Sequence, residues 1–359
     1  MKFFHILLLC FVFNGFSQGK EKMPITIDKL VKSFQKKHRI PGISVSISHN
    51  NSILYSKGFG YSNLENKTPI NPSKTKFRIA SMTKSLTALT IAKLMQMDSI
   101  DIYKSVYLYL PNLPKKKYDF SIKDVGGHLA GIKRIPTGER YDCENTFNTT
   151  DKLYKSFGLD DLALKPRTAM KYSNYGYKLL GLIIEKKCGN TLTNCHKSLI
   201  LDKLNLNSIV PDSKNSLERN NSFYVEKNGK NILAPCLDCT LKYAQGCYLS
   251  TSEDFIKLMH GILYSKELLS KESLKELLIP QKTIDGKYTG YGFGFISKKD
   301  TNGNFFFGHN GGYPGSRTVY RVYPKQKLVI TVFTNKSGYF KLTNLITDIA
   351  NDYIKSLNN

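Results

Sequence analysis

The sequence lacks any apolar run long enough to cross a membrane. Its one long run, residues 3–13, has about 11 residues, whereas a membrane-spanning helix needs about 20. Lys2 precedes this run, and the small residues Gly15 and Ser17 follow it, which is the order of features in a secretory signal peptide. The sequence therefore predicts a signal peptide over residues 1–17 and an exported mature chain, periplasmic or secreted, without a transmembrane anchor. A retained signal anchor is the alternative.

Acidic residues are scarce. The 359 residues include 28 Asp and Glu against 53 Lys and Arg, which gives a net charge of +25 and a pI of about 9.6. Such a charge favours association with anionic partners. The basic residues form only short, scattered runs, however, and no zinc-finger, RNP-type or basic-zipper pattern accompanies them. We therefore expect a solvated, lysine-rich surface and no nucleic-acid partner.

A complete metal-binding pattern of cysteines is also absent. Cys236 and Cys239 have the spacing of half a zinc site, but no second pair of cysteines and no paired histidines follow. The sequence therefore predicts no metal and no other cofactor. In an exported chain the cysteines can form disulfides, but the sequence does not choose among the pairings. Cys188 and Cys195 could close a short loop. The cysteines that follow the signal are Cys143, Cys188, Cys195, Cys236, Cys239 and Cys247.

Apolar periodicity places strands near both ends of the chain and helices between them. Residues 43–47 alternate apolar residues with serine, as in a half-buried strand, and residues 82–97 are apolar nearly all round, as in a buried helix. The other predicted segments are helices over residues 27–34, 178–187 and 342–353 and strands over residues 53–61, 291–297, 305–309, 316–323 and 328–334. This order predicts one domain over residues 18–359. Its sheet comes from about residues 25–80 and 250–355, and a helical region of about residues 85–250 is inserted.

The sharpest local motif is Ser81-Met-Thr-Lys84. A serine hydroxyl needs a base before it becomes a nucleophile, and residues i and i+3 share one face of a helix. The spacing Ser-x-x-Lys also begins at Ser17, Ser33 and Ser73. Only Ser81 opens a buried helix directly after a strand-like segment. A simple helix N-cap is the other interpretation of Ser81.

Two later motifs favour the catalytic interpretation. Tyr172-Ser-Asn174 precedes a helix, and residues 309–312, His-Asn-Gly-Gly, lie on a late strand. With Ser81 these motifs resemble the signature of the serine β-lactamase and penicillin-binding-protein superfamily. Residues 127–132 and 246–254 make the chain most similar to its class C members and to mitochondrial-type serine β-lactamase-like proteins. The resemblance implies an α+β fold of the β-lactamase/transpeptidase type, in which helices flank an antiparallel sheet.

The resemblance also implies the catalytic roles. Ser81 would attack an acyl carbonyl and form an acyl-enzyme, while Lys84 and Tyr172 share the acid/base work, in a division that the sequence leaves open. The backbone N–H groups of Ser81 and Gly312 would form the oxyanion hole. The chain would then be a metal-independent serine hydrolase. A non-catalytic binding or scaffold protein that retains the fold is the alternative.

The resemblance implies that Asn174, His309 and Gly311 bind the substrate. Lys336-Ser-Gly matches the third motif more literally than His309 does, but two predicted strands follow His309 and none follows Lys336. Histidine has an unperturbed pKa of about 6.5. At neutral pH we therefore expect His309 to be only partly charged, with the charge of the neighbouring Lys84 lowering its pKa further, and to hold anionic substrates weakly.

The expected substrate is a small peptide, a β-lactam or an ester. A peptidase acting on D-alanyl or other peptides is the first hypothesis, and β-lactam hydrolysis and esterase action come next. Arg167 stands where relatives often have glycine, and Gly126 and Gly127 replace common leucines. These departures weaken any transfer of a relative's substrate to this chain.

Overall fold

The computed structural model describes residues 18–139, 149–213, 219–265 and 268–357. The predicted signal peptide and Cys143 lie outside these ranges. Within them, no helix is both long enough and apolar enough to cross a membrane.

Seven antiparallel strands form one sheet, to which both ends of the chain contribute. The N-terminal strands are β1 (Gly42–His49), β2 (Ser52–Asn63) and β3 (Thr68–Pro69), and the C-terminal strands are β9 (Ile296–Lys299), β10 (Phe305–Tyr313), β11 (Ser316–Tyr323) and β12 (Leu328–Thr334). The order across the sheet is β3-β2-β1-β12-β11-β10-β9. The two groups meet where β1 pairs with β12, Ile43 opposite Thr334 and His49 opposite Leu328.

Helices cover both faces of this sheet. On one face apolar residues pack against α1 (Gln18–Lys37) and α10 (Leu342–Leu357). On the other face a larger core forms around α2 (Thr83–Gln96) and α8 (Ser252–Tyr264). The remaining helices are α3 (Val106–Tyr109), α4 (Ile122–Gly126), α5 (Thr150–Leu159), α6 (Asn174–Cys188), α7 (Leu192–His196) and α9 (Lys271–Leu278). The predicted α+β fold, an antiparallel sheet with flanking helices, is confirmed.

The strand-like segment before Ser81 contains strand β4 (Phe77–Arg78). The sequence analysis missed the other short strands, which are β5 (Val210–Pro211), β6 (Tyr224–Lys227), β7 (Lys230–Leu233) and β8 (Tyr248–Ser250). Segments of two to four residues carry too little alternation to be recognised. They matter because β4 pairs with β8 just before Ser81 and so fixes the approach of the chain to this residue.

Strand β9 begins later than predicted. Residues 291–297 alternate as a strand would, but Gly294 has a φ of +76° and turns the chain before Ile296. A Cβ on Gly294 would lie 2.5 Å from Ala88 Cβ, so glycine allows this segment to contact α2. The buried Phe293 and Phe295 thus belong to a close-packed turn rather than to a strand.

Strand β1 is more deeply buried than the alternation predicts. Its serines face α8, where Ser44 Oγ and Ser46 Oγ lie 2.7 and 2.8 Å from Ser252 Oγ. A buried hydroxyl is tolerated when it finds a hydrogen-bond partner. The polar face of β1 is therefore a second buried face, which explains how β1 occupies the centre of the sheet.

Two disulfides join described cysteines. Cys188 pairs with Cys195, which confirms the predicted short loop at the end of α6. Cys239 pairs with Cys247 eight positions later. Cys239 is therefore bonded to a cysteine outside the Cys-x-x-Cys pair, and Cys236 is disulfide-bonded as well.

Candidate active site

Ser81 stands on a tight turn between strand β4 and helix α2. The Ile79 N–H donates to Tyr248 O at 2.9 Å, and a 3-10 turn, Ala80–Met82, leads directly into α2. Ala80 has a φ of +47°, an uncommon conformation for a residue with a Cβ. The turn leaves Ser81 partly exposed, whereas Ala80 and Met82 on either side are buried. Ser81 is thus presented to solvent from a rigid, buried support.

Strand β10 packs directly against this turn. A Cβ on Gly311 would lie 2.3 Å from Ile79 O and 2.2 Å from Thr318 Oγ1, so only glycine allows the approach. The Thr318 hydroxyl donates to Ile79 O at 3.1 Å and ties β11 to the same turn. Gly312 follows Gly311 along β10. The two segments that carry the proposed oxyanion-hole N–H groups, those of Ser81 and Gly312, are therefore in direct contact.

The Lys84 side chain contacts Ser81 and two other residues of the site. Its Nζ lies 3.3 Å from Ser81 Oγ, 2.8 Å from Asn174 Oδ1 and 2.8 Å from Gln245 O. The side chain is fully buried, and this desolvation, helped by the positive charge of Arg134, holds the pKa of Lys84 well below its usual value. In the neutral form that a base requires, the amine has two N–H donors and one lone pair. When Asn174 Oδ1 and Gln245 O accept those N–H groups, the lone pair is left for the Ser81 hydroxyl.

The Tyr172 ring lies beside Lys84, with its centroid 5.0 Å from Lys84 Nζ. The His128 ring also lies beside it, with 4.3 Å between the two ring centroids. The Ser173 N–H donates to His128 Nδ1 at 3.1 Å, and Ser173 Oγ caps α6 by accepting from the Gly176 N–H at 2.8 Å. Burial lowers the pKa of His128 well below its usual value, so the ring is neutral and accepts this bond. His128 and the cap together fix the segment that carries Tyr172 and Asn174.

His309 lies on β10 and is buried. Its Nδ1–H donates to Asn310 O at 2.7 Å, and its Nε2 accepts from the Tyr291 hydroxyl at 2.8 Å. Burial, and next the charge of Lys84, lower the pKa of His309 to about 3. The expectation that Lys84 lowers the pKa of His309 is confirmed, and burial lowers it further, so that His309 is neutral rather than partly charged at neutral pH. The sequence could not show the burial that keeps the ring neutral.

Lys336, the competing third motif, lies elsewhere. Its Nζ donates to Glu226 Oε2 at 2.7 Å and to the carbonyls of His38 and Arg39 at 3.1 and 3.3 Å. These contacts bind the buried ammonium to strand β6 and to the loop after α1. The structure therefore brings Ser81, Lys84, Tyr172, Asn174 and His309 together and engages Lys336 in another part of the molecule.

Arg167 and Gly126, which depart from the family pattern, each make a specific contact in the structure. Arg167 has a φ of +65°, and its guanidinium binds both carboxylate oxygens of Asp124 at 2.9 and 3.2 Å. A Cβ on Gly126 would lie 2.3 Å from the Phe293 ring. The small residue at 126 thus makes room for an aromatic ring against the end of α4.

Two residues of the site were missed by sequence reasoning. Gln245 contributes its backbone carbonyl to Lys84, and Tyr291 contributes its hydroxyl to His309. A backbone acceptor has no residue-specific signal in a single sequence. The one available clue is that Gln245 directly precedes the 246–254 segment that carries part of the family resemblance.

Comparison with known proteins identifies the family. Residues 27–351 match the family model described as Beta-lactamase. The chain belongs to the beta-lactamase family. The human mitochondrial serine beta-lactamase-like protein LACTB is 25% identical, with 80% of this chain and 69% of the human protein covered. The resemblance noted from the motifs is therefore confirmed, and the chain is a serine hydrolase of the beta-lactamase family.

Solved structures agree with this assignment. The penicillin-binding-protein homologue from Pyrococcus abyssi superposes with a TM-score of 0.74 at 25% identity, covering 88% of this chain and 74% of its own. The D-amino acid amidase from Ochrobactrum anthropi SV3 superposes with a TM-score of 0.80 at 20% identity, covering 94% and 99%. At this identity the amidase shows that the beta-lactamase fold is shared.

Proposed function

We propose that this chain is an exported hydrolase that cleaves an amide or ester bond through an acyl-enzyme on Ser81. The observation that carries the proposal is the arrangement of Lys84, whose buried Nζ contacts Ser81 Oγ, Asn174 Oδ1 and Gln245 O. A lysine with a lowered pKa can accept the serine proton at neutral pH. The export part of the proposal rests on the apolar run at residues 3–13.

The proposed reaction has two steps. Ser81 Oγ attacks the carbonyl carbon while its proton passes to Lys84 Nζ, and the backbone N–H groups of Ser81 and Gly312 receive the oxyanion. Collapse of the tetrahedral intermediate breaks the bond to the leaving amine or alcohol, which takes up the proton through Lys84 or Tyr172. Water then repeats the sequence on the acyl-enzyme and releases the acid and free Ser81.

The first substrate candidate is a peptide, of the D-alanyl type or another. It is supported by the family membership and by the fold shared with a D-amino acid amidase. A β-lactam is the related possibility. The second candidate is an uncharged ester or amide, and the neutral His309 favours it, because a neutral imidazole cannot form an ion pair with a substrate carboxylate.

Covalent labelling tests the nucleophile. We expect a fluorophosphonate or a fluorescent penicillin to add to the peptide that contains Ser81, and Ser81→Ala to lose the adduct while it keeps the wild-type melting temperature. Ser33 and Ser73 also begin Ser-x-x-Lys spacings and serve as internal controls. Ser33 is exposed on α1, and the Ser73 hydroxyl donates a hydrogen bond to Asn71 Oδ1 at 2.8 Å, so neither lies in the site around Lys84. An adduct on either of them with Ser81 unlabelled would refute the assignment. The absence of any adduct would favour a non-catalytic scaffold.

A matched pair of substrates tests the role of His309. Because its pKa is about 3, we expect the ratio of KM values for a carboxylate ester and its neutral analogue to stay constant from about pH 5 to pH 8. His309→Lys should lower the KM of the carboxylate substrate about tenfold at pH 7, the effect of a hydrogen bond to a charged group. The KM of the neutral ester in the same variant is the control. A wild-type KM that falls for the carboxylate alone between pH 7 and pH 5 would show that His309 does become charged.

A further inference from the structure

The loop that holds Lys84 is closed by a disulfide. Gln245 O accepts from Lys84 Nζ at 2.8 Å, and two positions later Cys247 is bonded to Cys239, with 5.6 Å between their Cα atoms. The neighbouring carbonyl, Ala244 O, accepts from the Thr87 hydroxyl at 2.7 Å. The 239–247 loop thus directs two successive carbonyls at one side of α2, the side that carries the proposed base.

The backbone at Cys247 is strained and closely packed. Cys247 has a φ of +63°, a left-handed conformation that costs a residue with a Cβ about 1–2 kcal/mol. A Cβ on the preceding Gly246 would lie 2.5 Å from the Tyr313 hydroxyl, so the loop is also pressed against the end of β10. The crosslink to Cys239 fixes one side of Cys247 in this position, and the Asp212 N–H, which donates to Cys247 O at 2.8 Å, fixes its backbone.

We infer that the Cys239–Cys247 disulfide is a positioning element for Lys84: it fixes the Gln245 carbonyl and thereby directs the Lys84 lone pair at Ser81. The argument follows from the three contacts of Lys84 Nζ. When Gln245 O is in place, both N–H groups are used and the lone pair points at the Ser81 hydroxyl. When the loop relaxes, the amine can turn and water can reach it.

The chain contains a matched control in its other described disulfide. Cys188 and Cys195 close a loop of nearly the same length, seven positions against eight. In the chain-entropy model the two crosslinks stabilise the fold by similar amounts. Cys188 ends α6, whereas Asn174 begins it, and 15 helical residues span about 20 Å. Loss of the Cys188–Cys195 bond should therefore affect stability without moving Lys84.

The inference rests on the proposed function, since it takes Lys84 as the base for Ser81, and the test separates the two. The measurement is the rate at which a fluorophosphonate labels Ser81 as a function of pH. It is made on wild type, on Cys239→Ser with Cys247→Ser, and on Cys188→Ser with Cys195→Ser, well below each melting temperature. No labelling in wild type would refute the proposed function itself.

We expect the 239/247 variant to label about tenfold more slowly than wild type at pH 7, a partial loss of base catalysis. The acid limb of its pH profile should move to higher pH, because water that enters the relaxed loop raises the pKa of Lys84. The 188/195 variant should keep the wild-type rate and profile. Equal labelling rates and equal pH profiles in the two variants would overturn the inference. The Cys239–Cys247 disulfide would then only stabilise the fold.

Reduction provides the measurement if the 239/247 variant does not fold. A dithiol reduces the Cys239–Cys247 disulfide in the 188/195 variant by transferring two electrons and two protons, which gives two cysteine thiols and a cyclic disulfide of the reagent. Alkylation and mass spectrometry then give the fraction of chains in which Cys239 and Cys247 are reduced, and separately the fraction in which the Cys236 disulfide is reduced. The labelling rate should fall in proportion to the fraction with Cys239 and Cys247 reduced and recover on reoxidation. A rate independent of that fraction would overturn the inference.

Discussion

Replacement of Lys84 by methionine is expected to lower kcat/KM by about 10²–10⁴-fold, the usual contribution of a positioned general base. Methionine has a similar length and no charge, so it fills the buried site between Ser81 and Asn174. Asn174 Oδ1 and Gln245 O each lose their Lys84 donor, so we also expect a loss of stability of about 1–3 kcal/mol. In wild type, activity should fall on the acid side as Lys84 becomes protonated, and this fall should lie at a lower pH than for an ordinary lysine because burial lowers the pKa of Lys84. The measurement is kcat/KM against pH for both proteins.

Thr83→Val is the matched control for that experiment. Thr83 is the neighbour of Lys84 on α2, it is buried, and its Oγ1 has no hydrogen-bond partner within the described part of the chain. Valine has nearly the same shape, so neither activity nor stability should fall. If Lys84→Met retained more than about a tenth of wild-type kcat/KM, the base would have to be another group, and Tyr172 would be the first to test.

Acidification from pH 7 to pH 5 is expected to lower the free energy of unfolding by several kcal/mol. This pH range lies above the one in which most carboxylates become protonated. His196 and His309 are fully buried, and burial lowers the pKa of each to about 3. In the unfolded chain the same histidines have a pKa of about 6.5 and bind a proton at pH 5. Their contribution to stability is thus complete above about pH 6.5 and is lost as the pH falls toward 3. At pH 5 the loss is about 2 kcal/mol for each.

The free energy of unfolding in urea at pH 7 and pH 5 measures this effect. His196→Gln removes one of the two groups, so its loss of stability between the two pH values should be about 2 kcal/mol smaller than that of wild type. His49, at the end of β1, is only partly buried, and His49→Gln serves as the comparison. An unchanged pH dependence in His196→Gln would contradict the assignment of a neutral, buried His196.

The sequence predicts the parts of the site that depend on local order and spacing. Ser81 and Lys84 share a helix face, and the strands that follow His309 distinguish it from Lys336. The sequence cannot predict what tertiary packing decides. The pKa of His309 depends on its burial beneath the Tyr291 hydroxyl, and the orientation of Lys84 depends on a backbone carbonyl 161 residues away.

The same limit explains the errors in the fold. Alternation in residues 291–297 predicts a strand because Phe293 and Phe295 are both apolar, yet Gly294 turns the chain so that α2 can approach. The serines of β1 look exposed in sequence because their partner, Ser252, lies more than two hundred residues away. Periodicity reports which residues are polar, whereas the structure decides which polar groups find partners.

The pairing of β1 with β12 determines at what stage of synthesis the active fold can form. Ser46 and Thr331 are opposite each other in this strand pair and are 285 positions apart along the chain. Contacts of such long sequence separation form slowly and need nearly the whole polypeptide. While the chain is still being synthesised, the centre of the sheet is therefore open, and β10 and β11 are not yet available to support the turn at Ala80. The nucleophile is assembled only when almost all of the chain has been made, so a growing chain carries no working hydrolase.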